Sequence, residues 1–166
     1  MIIFSYCTTS LDFELVDKNK IFRIVITDDE KDNVTTWFRG KKYKHTLAPK
    51  DIKHIIKIIK AAPGLFDIPE ELEPNESLGG GTIYGFTFCD GKRTNSFYGK
   101  DILDYGRRPR KNATLALRAA REIKEKVLEP NNIRTMISSR LQHWPKYRKE
   151  SDSIPPCGCP HLPKEN

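Results

Sequence analysis

Residues 21–38 read IFRIVITDDEKDNVTTWF. Two β-branched and aromatic runs, 21–27 and 34–38, flank the polar stretch DDEKDN. That is the pattern of two strands joined by a turn. A short connection of this kind fits antiparallel pairing, because a parallel pair needs a crossover of a dozen or more residues. Upstream, residues 2–8 read as a first strand. Downstream, Gly40 interrupts, and residues 41–46 read as a further strand or an extended arm.

A helix is predicted next. Pro49 suits its first turn and Asp51 favours the positive end of the helix dipole. Ile52, Ile55, Ile56 and Ile59 fall at i, i+3, i+4 and i+7, one apolar stripe, with Lys53, Lys57 and Lys60 on the other side. Pro63-Gly64 stops it. Residues 65–76 read as an acidic, proline-containing connection.

Gly79-Gly80-Gly81 opens a strand over 82–89 (TIYGFTFC), and residues 92–98 return. Asp90-Gly91 between them predicts a type I′ turn, which needs positive φ at both positions. Asn112 is the expected N-cap of a second helix. Its buried side is Ala113, Ala116, Leu117, Ala120, Ile123 and Val127. Pro130 ends it, and Asn132 is expected to cap a short third helix carrying Ile133, Met136, Ile137 and Leu141. From Glu150 the chain is polar and proline-rich.

The expected fold is therefore α+β: a mostly antiparallel sheet of about five strands, two principal helices on one face, a short third helix and a polar C-terminal tail. A single domain is expected over residues 1–149, with a basic helical segment at 107–149 and a flexible tail at 150–166. The absence of βαβ alternation argues against a parallel nucleotide-binding sheet. No motif places the sequence in a characterised family; the order of elements is that of many small bacterial or phage domains.

The chain has 166 residues, 37% of them hydrophobic and 31% charged. No apolar run approaches the ~18 residues of a membrane span, and residues 2–6 are too short for a signal core. The expected setting is cytoplasmic, in a bacterium or an infected host cell, with no membrane partner. The net charge of +7 is unevenly placed: residues 107–150 carry 13 basic and 4 acidic side chains. An anionic partner is to be sought there.

Three candidate sites follow. The run Arg107, Arg108, Arg110 and Lys111 precedes the second helix, where backbone N–H groups favour an anion; a solvated loop is the competing reading. Arg134, Arg140 and Arg148, with Lys146 and Lys149, interleave with Trp144 and Tyr147. That composition suits a protein interface or a nucleic-acid surface. Cys157, Cys159 and His161 offer three ligands for zinc, with Cys7, Cys89, His143 or water as a fourth, against the wrong spacing for a zinc knuckle. No other cofactor is expected.

The leading expectation is a non-catalytic interaction protein of inhibitor, immunity or adaptor type, binding an acidic protein partner through its basic, aromatic-bearing C-terminal surface. Nucleic-acid binding through the same surface is the alternative. An enzyme with a site assembled from distant residues such as Cys7, His45 or His54 is the third reading. A homo-oligomer follows if the basic segment docks on a second copy.

Overall fold

A computed structural model describes residues 1–10, 22–38, 40–72, 82–100 and 111–137. Seven strands form one sheet: β1 (Ile2–Ser10), β2 (Phe22–Thr27), β3 (Val34–Phe38), β4 (Lys41–His45), β5 (Glu71–Leu72), β6 (Thr82–Cys89) and β7 (Thr94–Lys100). Their spatial order is β4-β3-β2-β1-β6-β7-β5. All neighbours pair antiparallel except β5, which runs parallel to β7. The class is α+β, but the sheet is mixed and larger than the expected five strands. Residues 41–45 do pair as a strand. The added strand β5 is two residues long, inside the acidic connection, and too short to carry an alternation.

Side-chain alternation decides what each face does. Phe4, Tyr6, Phe22, Ile24, Ile26, Val34, Phe86, Phe88 and Phe97 point to the inner face and are buried. Their rings touch: Tyr6 and Phe22 each meet a neighbouring aromatic, and Phe86 lies 5.4 Å from both Tyr6 and Phe97. A β-bulge between Ile2 and Phe4 lets the consecutive residues Ile3 and Phe4 both be buried.

Two helices, α1 (Pro49–Lys60) and α2 (Lys111–Ile123), bury their apolar sides in the same core. In α1 the buried residues are Ile52, Ile55, Ile58 and Ile59, so Ile58 replaces Ile56 in the central stripe and Ile56 is half-buried. Each fully buried isoleucine contributes about 1.5–3 kcal/mol. In α2 every expected residue from Ala113 to Ile123 is buried, and Ala119 joins them. The described helix starts at Lys111, so Asn112 lies inside it.

Two half- or fully buried asparagines tie loops to the sheet. Asn33 donates through Nδ2 to the carbonyls of Asp29 and Leu47, and its Oδ1 accepts from Leu47 N–H at 2.7 Å. Asn95 donates to the carbonyls of Leu65 and Ile68, holding the 3-10 turn Pro63–Asp67 under β7.

Two local expectations are corrected. The β6–β7 turn is not type I′. Gly91 alone has positive φ, and β7 begins only at Thr94, leaving a four-residue loop. Asp90 holds that loop: Oδ1 accepts from Lys92 and Arg93 N–H, and Oδ2 from Arg93 Nε. These bonds hold the buried carboxyl down at about 2.

The short third helix does not start where expected. Residues 133–137 are irregular; Leu141 lies outside the described residues. Asn132 takes φ +58°. Ile133 N–H bonds to Leu128 C=O at 2.9 Å, and Asn132 N–H to Glu129 C=O at 2.9 Å. This is a Schellman closure, so Asn132 ends a helix instead of starting one. It follows a π-helical turn over Lys124–Leu128, in which Glu129 N–H reaches Lys124 C=O. No described helix is long and apolar enough to cross a membrane.

Candidate binding surface

The helices cover the inner face of the sheet. The outer face carries the other half of each strand, and its side chains are half-buried or exposed at the sites that matter here. Strand pairing places one residue from every strand in a continuous row: Lys42, Trp37, Arg23, Cys7, Gly85, Tyr98 and Glu71. A neighbouring row runs Lys44, Thr35, Val25, Ser5, Thr87 and Ser96. Lys100 pairs with Ile83 beside them.

The first row has relief. At one end cations from both flanking strands converge on Trp37. The Arg23 guanidinium carbon is 5.1 Å from its ring centroid and Lys42 Nζ is 5.4 Å away. At the other end Tyr98 stands 43% exposed. Between Arg23 and Tyr98 the first row carries only Cys7 and Gly85, and the neighbouring row carries Val25, Ser5 and Thr87. The Thr87 hydroxyl is hydrogen-bonded to Ser96 at 3.0 Å. By side-chain size the strip is low at its middle and bounded by aromatic and cationic side chains, a shallow trough.

Its charge is one-sided. Arg23, Lys42, Lys44 and Lys100 bring positive charge. Glu71 stands at the far edge, and Asp32, near β4, is paired with Lys44 at 3.0 Å. Burial pushes the Cys7 thiol above its usual range, although the Gly85 backbone and Arg23 pull the other way. A thiol kept protonated is a poor nucleophile.

A second concavity of about 1070 Å3 lies at the inner side of the β4 end, lined among others by Lys41, Tyr43, His45, Lys124, Glu129 and Arg134. It brings His45 and the carboxylate of Glu129 to one lining. Glu129 stands 3.7 Å from Lys124 Nζ, and that ammonium also donates to Ile137 C=O. These groups tie residues 129–137 back onto the helix. The exposed side chains of Tyr43 and Met136 share this lining.

The sequence-derived candidates fall unevenly. Arg134 lines the inner groove. Lys111 is exposed at the first residue of α2. Arg107, Arg108, Arg110, Arg140, Trp144, Tyr147 and Arg148 lie outside the described residues, as do Cys157, Cys159 and His161. Of the fourth-ligand candidates, Cys89 is buried 3.7 Å from the Met1 sulfur, and Cys7 sits in the trough floor. Among the described residues no group of three His, Cys, Asp or Glu is placed to hold a metal. His54 is exposed on α1 beside Lys50, Lys53 and Lys57.

The trough itself was missed in the sequence reading. Its signal is present in the strands: Arg23, Trp37 and Lys42 occupy outward positions of three successive strands. Only the pairing register brings them together. No protein-family model matches the chain, and no curated protein sequence is detectably similar to it.

Proposed function

We propose that the chain is a non-catalytic binding protein, of the inhibitor, immunity or adaptor kind, that takes an acidic macromolecular partner. The observation behind this reading is the trough, where Arg23, Lys42, Lys44 and Lys100 stand with Trp37 and Tyr98 on a sheet face bearing few acids. Tryptophan, tyrosine and arginine are the usual anchors of binding surfaces, and one-sided charge steers an oppositely charged partner. The basic residues of 107–150, Arg134 among them, add to the attraction.

The test compares two double charge reversals of equal size. Lys42→Glu with Lys100→Glu alters the trough. Lys53→Glu with Lys57→Glu alters the exposed side of α1. Retention of the full chain on immobilised polyglutamate and on heparin is measured at low salt. The trough variant is expected to lose most retention and the α1 variant little. Equal loss in both would remove the trough from the binding surface.

A further inference from the structure

Resting on the reading that the trough takes an acidic macromolecule, we propose that its partner is single-stranded nucleic acid. The bases stack against Trp37 and Tyr98 over the Cys7–Gly85 floor, and Arg23, Lys42 and Lys100 hold the phosphates.

The floor is built from small residues. Gly85 has no side chain, and Cys7 Sγ lies over it, 2.7 Å from where a Cβ would stand. Ser5 and Thr87 in the next row are short. The sulfur fills that gap, so the centre of the floor is a low Cys7–Gly85 surface over which a planar group can lie. Trp37 on β3 and Tyr98 on β7 are four strand steps apart, about 19 Å at the usual strand spacing. That leaves room for several unpaired bases between the two aromatic side chains.

The walls select the ligand. Every base has a π-face, so stacking on the exposed Tyr98, and on the half-buried Trp37 when Arg23 or Lys42 leaves its ring for a phosphate, is tolerant of sequence. The Arg23 guanidinium beside Trp37 is a planar cation, which can stack on a base or meet a phosphate. A run of aspartates and glutamates would satisfy the cations but bring no rings to stack on the aromatic side chains. A duplex keeps its bases stacked inside and is read by elements that enter a groove, which a broad sheet face does not do. Unstacked bases are available only in single strands.

Charge complementarity points the same way. Cations sit at both ends of the trough, Lys42 and Arg23 on one side and Lys100 on the other. A phosphate chain crossing the sheet would meet Lys42 and Arg23 at one end and Lys100, on the strand next to Glu71, at the other. Asp32 is neutralised by Lys44, so it does not repel such a chain.

The probes are ten-nucleotide oligo(dT) and oligo(U), a DNA duplex of the same length, and polyglutamate of similar charge. Binding to the full chain is followed by anisotropy of a labelled probe and by intrinsic tryptophan fluorescence. Single strands are expected to bind in preference to the duplex, with affinity falling steeply as salt rises. They should quench tryptophan emission saturably, and Trp37→Phe should lose that quench while retaining more of the binding than Trp37→Ala. Trp37→Ala should weaken binding about tenfold or more, and Arg23→Ala with Lys42→Ala should flatten the salt dependence. Circular dichroism checks that each variant folds. If Trp37→Ala does not fold, Tyr98→Ala, at an exposed site, must still weaken binding.

Failures separate cleanly. If polyglutamate or duplex binds as well as the single strands, and tryptophan emission does not change, the single-strand assignment is overturned and the acidic-partner reading stands. If no probe binds even at low salt, both fall.

Discussion

Cys7 Sγ occupies the space a side chain on Gly85 would need, 2.7 Å from its Cβ position. The two residues face each other across the central β1–β6 pair. This fit sets the depth of the trough. Gly85→Ala forces the sulfur to rotate or the strands to part, an overpacking cost of about 1–3 kcal/mol. Cys7→Ala in the same chain should recover most of that loss. Urea denaturation of the three variants measures it, and an unrescued double variant would show that Gly85 is required for another reason.

Asn33 makes the second strong case. Its side chain is 2% exposed and satisfies both the N–H and the C=O of Leu47. Leu47 itself is buried just before α1. Asn33→Ala would leave those backbone groups unpaired, at about 1–3 kcal/mol for an unmet buried group. Asn33→Asp keeps the acceptor but loses the donor, so it should be destabilising as well. Thermal melts of both variants test this; a wild-type midpoint for Asn33→Ala would show that water replaces the amide.

How far the sequence is legible follows from the range of the forces involved. The hairpin at 21–38, the Ile52–Ile59 stripe and the buried side of α2 are set by alternation and periodicity within a few residues, and they were readable. Asn132 shows a local ambiguity. Asparagine is favoured both as an N-cap and in the left-handed position that closes a helix, and Pro130 just before it does not decide between them. Asp90-Gly91 failed for another reason: the Asp90 carboxylate binds the backbone two and three residues on and stretches the turn beyond two residues. The trough was illegible because Arg23, Cys7, Gly85 and Tyr98 meet only through strand register, with Cys7 and Tyr98 91 positions apart in the chain. The inward residues of a sheet announce themselves by being apolar. Its outward residues look like ordinary surface until their neighbours are known.

The Asp90 turn carries a pH signature. Its carboxyl is held down at about 2 by the N–H groups of Arg93 and Lys92 and by the Arg93 guanidinium, against about 3.9 in an unfolded chain. A group with a depressed folded pKa stabilises fully above its unfolded value and loses that contribution as pH falls through the folded one. Wild type should therefore exceed Asp90→Asn in stability by a constant margin from pH 7 to pH 5. The margin should shrink below about pH 4, be mostly gone near pH 2 and vanish only below it. Urea titrations of both proteins across that range would read it. A margin independent of pH would mean that the turn depends on the shape of the side chain and not on its charge.

Burial raises the Cys7 thiol above its usual range, so little thiolate exists near neutral pH, and alkylation proceeds through the thiolate. Iodoacetamide should label Cys7 more slowly than a free cysteine at pH 7.5, with the rate rising on going to higher pH. Peptide mapping by mass spectrometry separates Cys7 from Cys89, Cys157 and Cys159. Cys7 lies in the floor, so a bound ligand should slow its labelling further, while the labelling of buried Cys89 should not change. Fast labelling of Cys7 at neutral pH would instead mark an activated thiol. The catalytic reading of this chain would then become the stronger one, since an exposed thiolate beside Arg23 has the setting of a nucleophile.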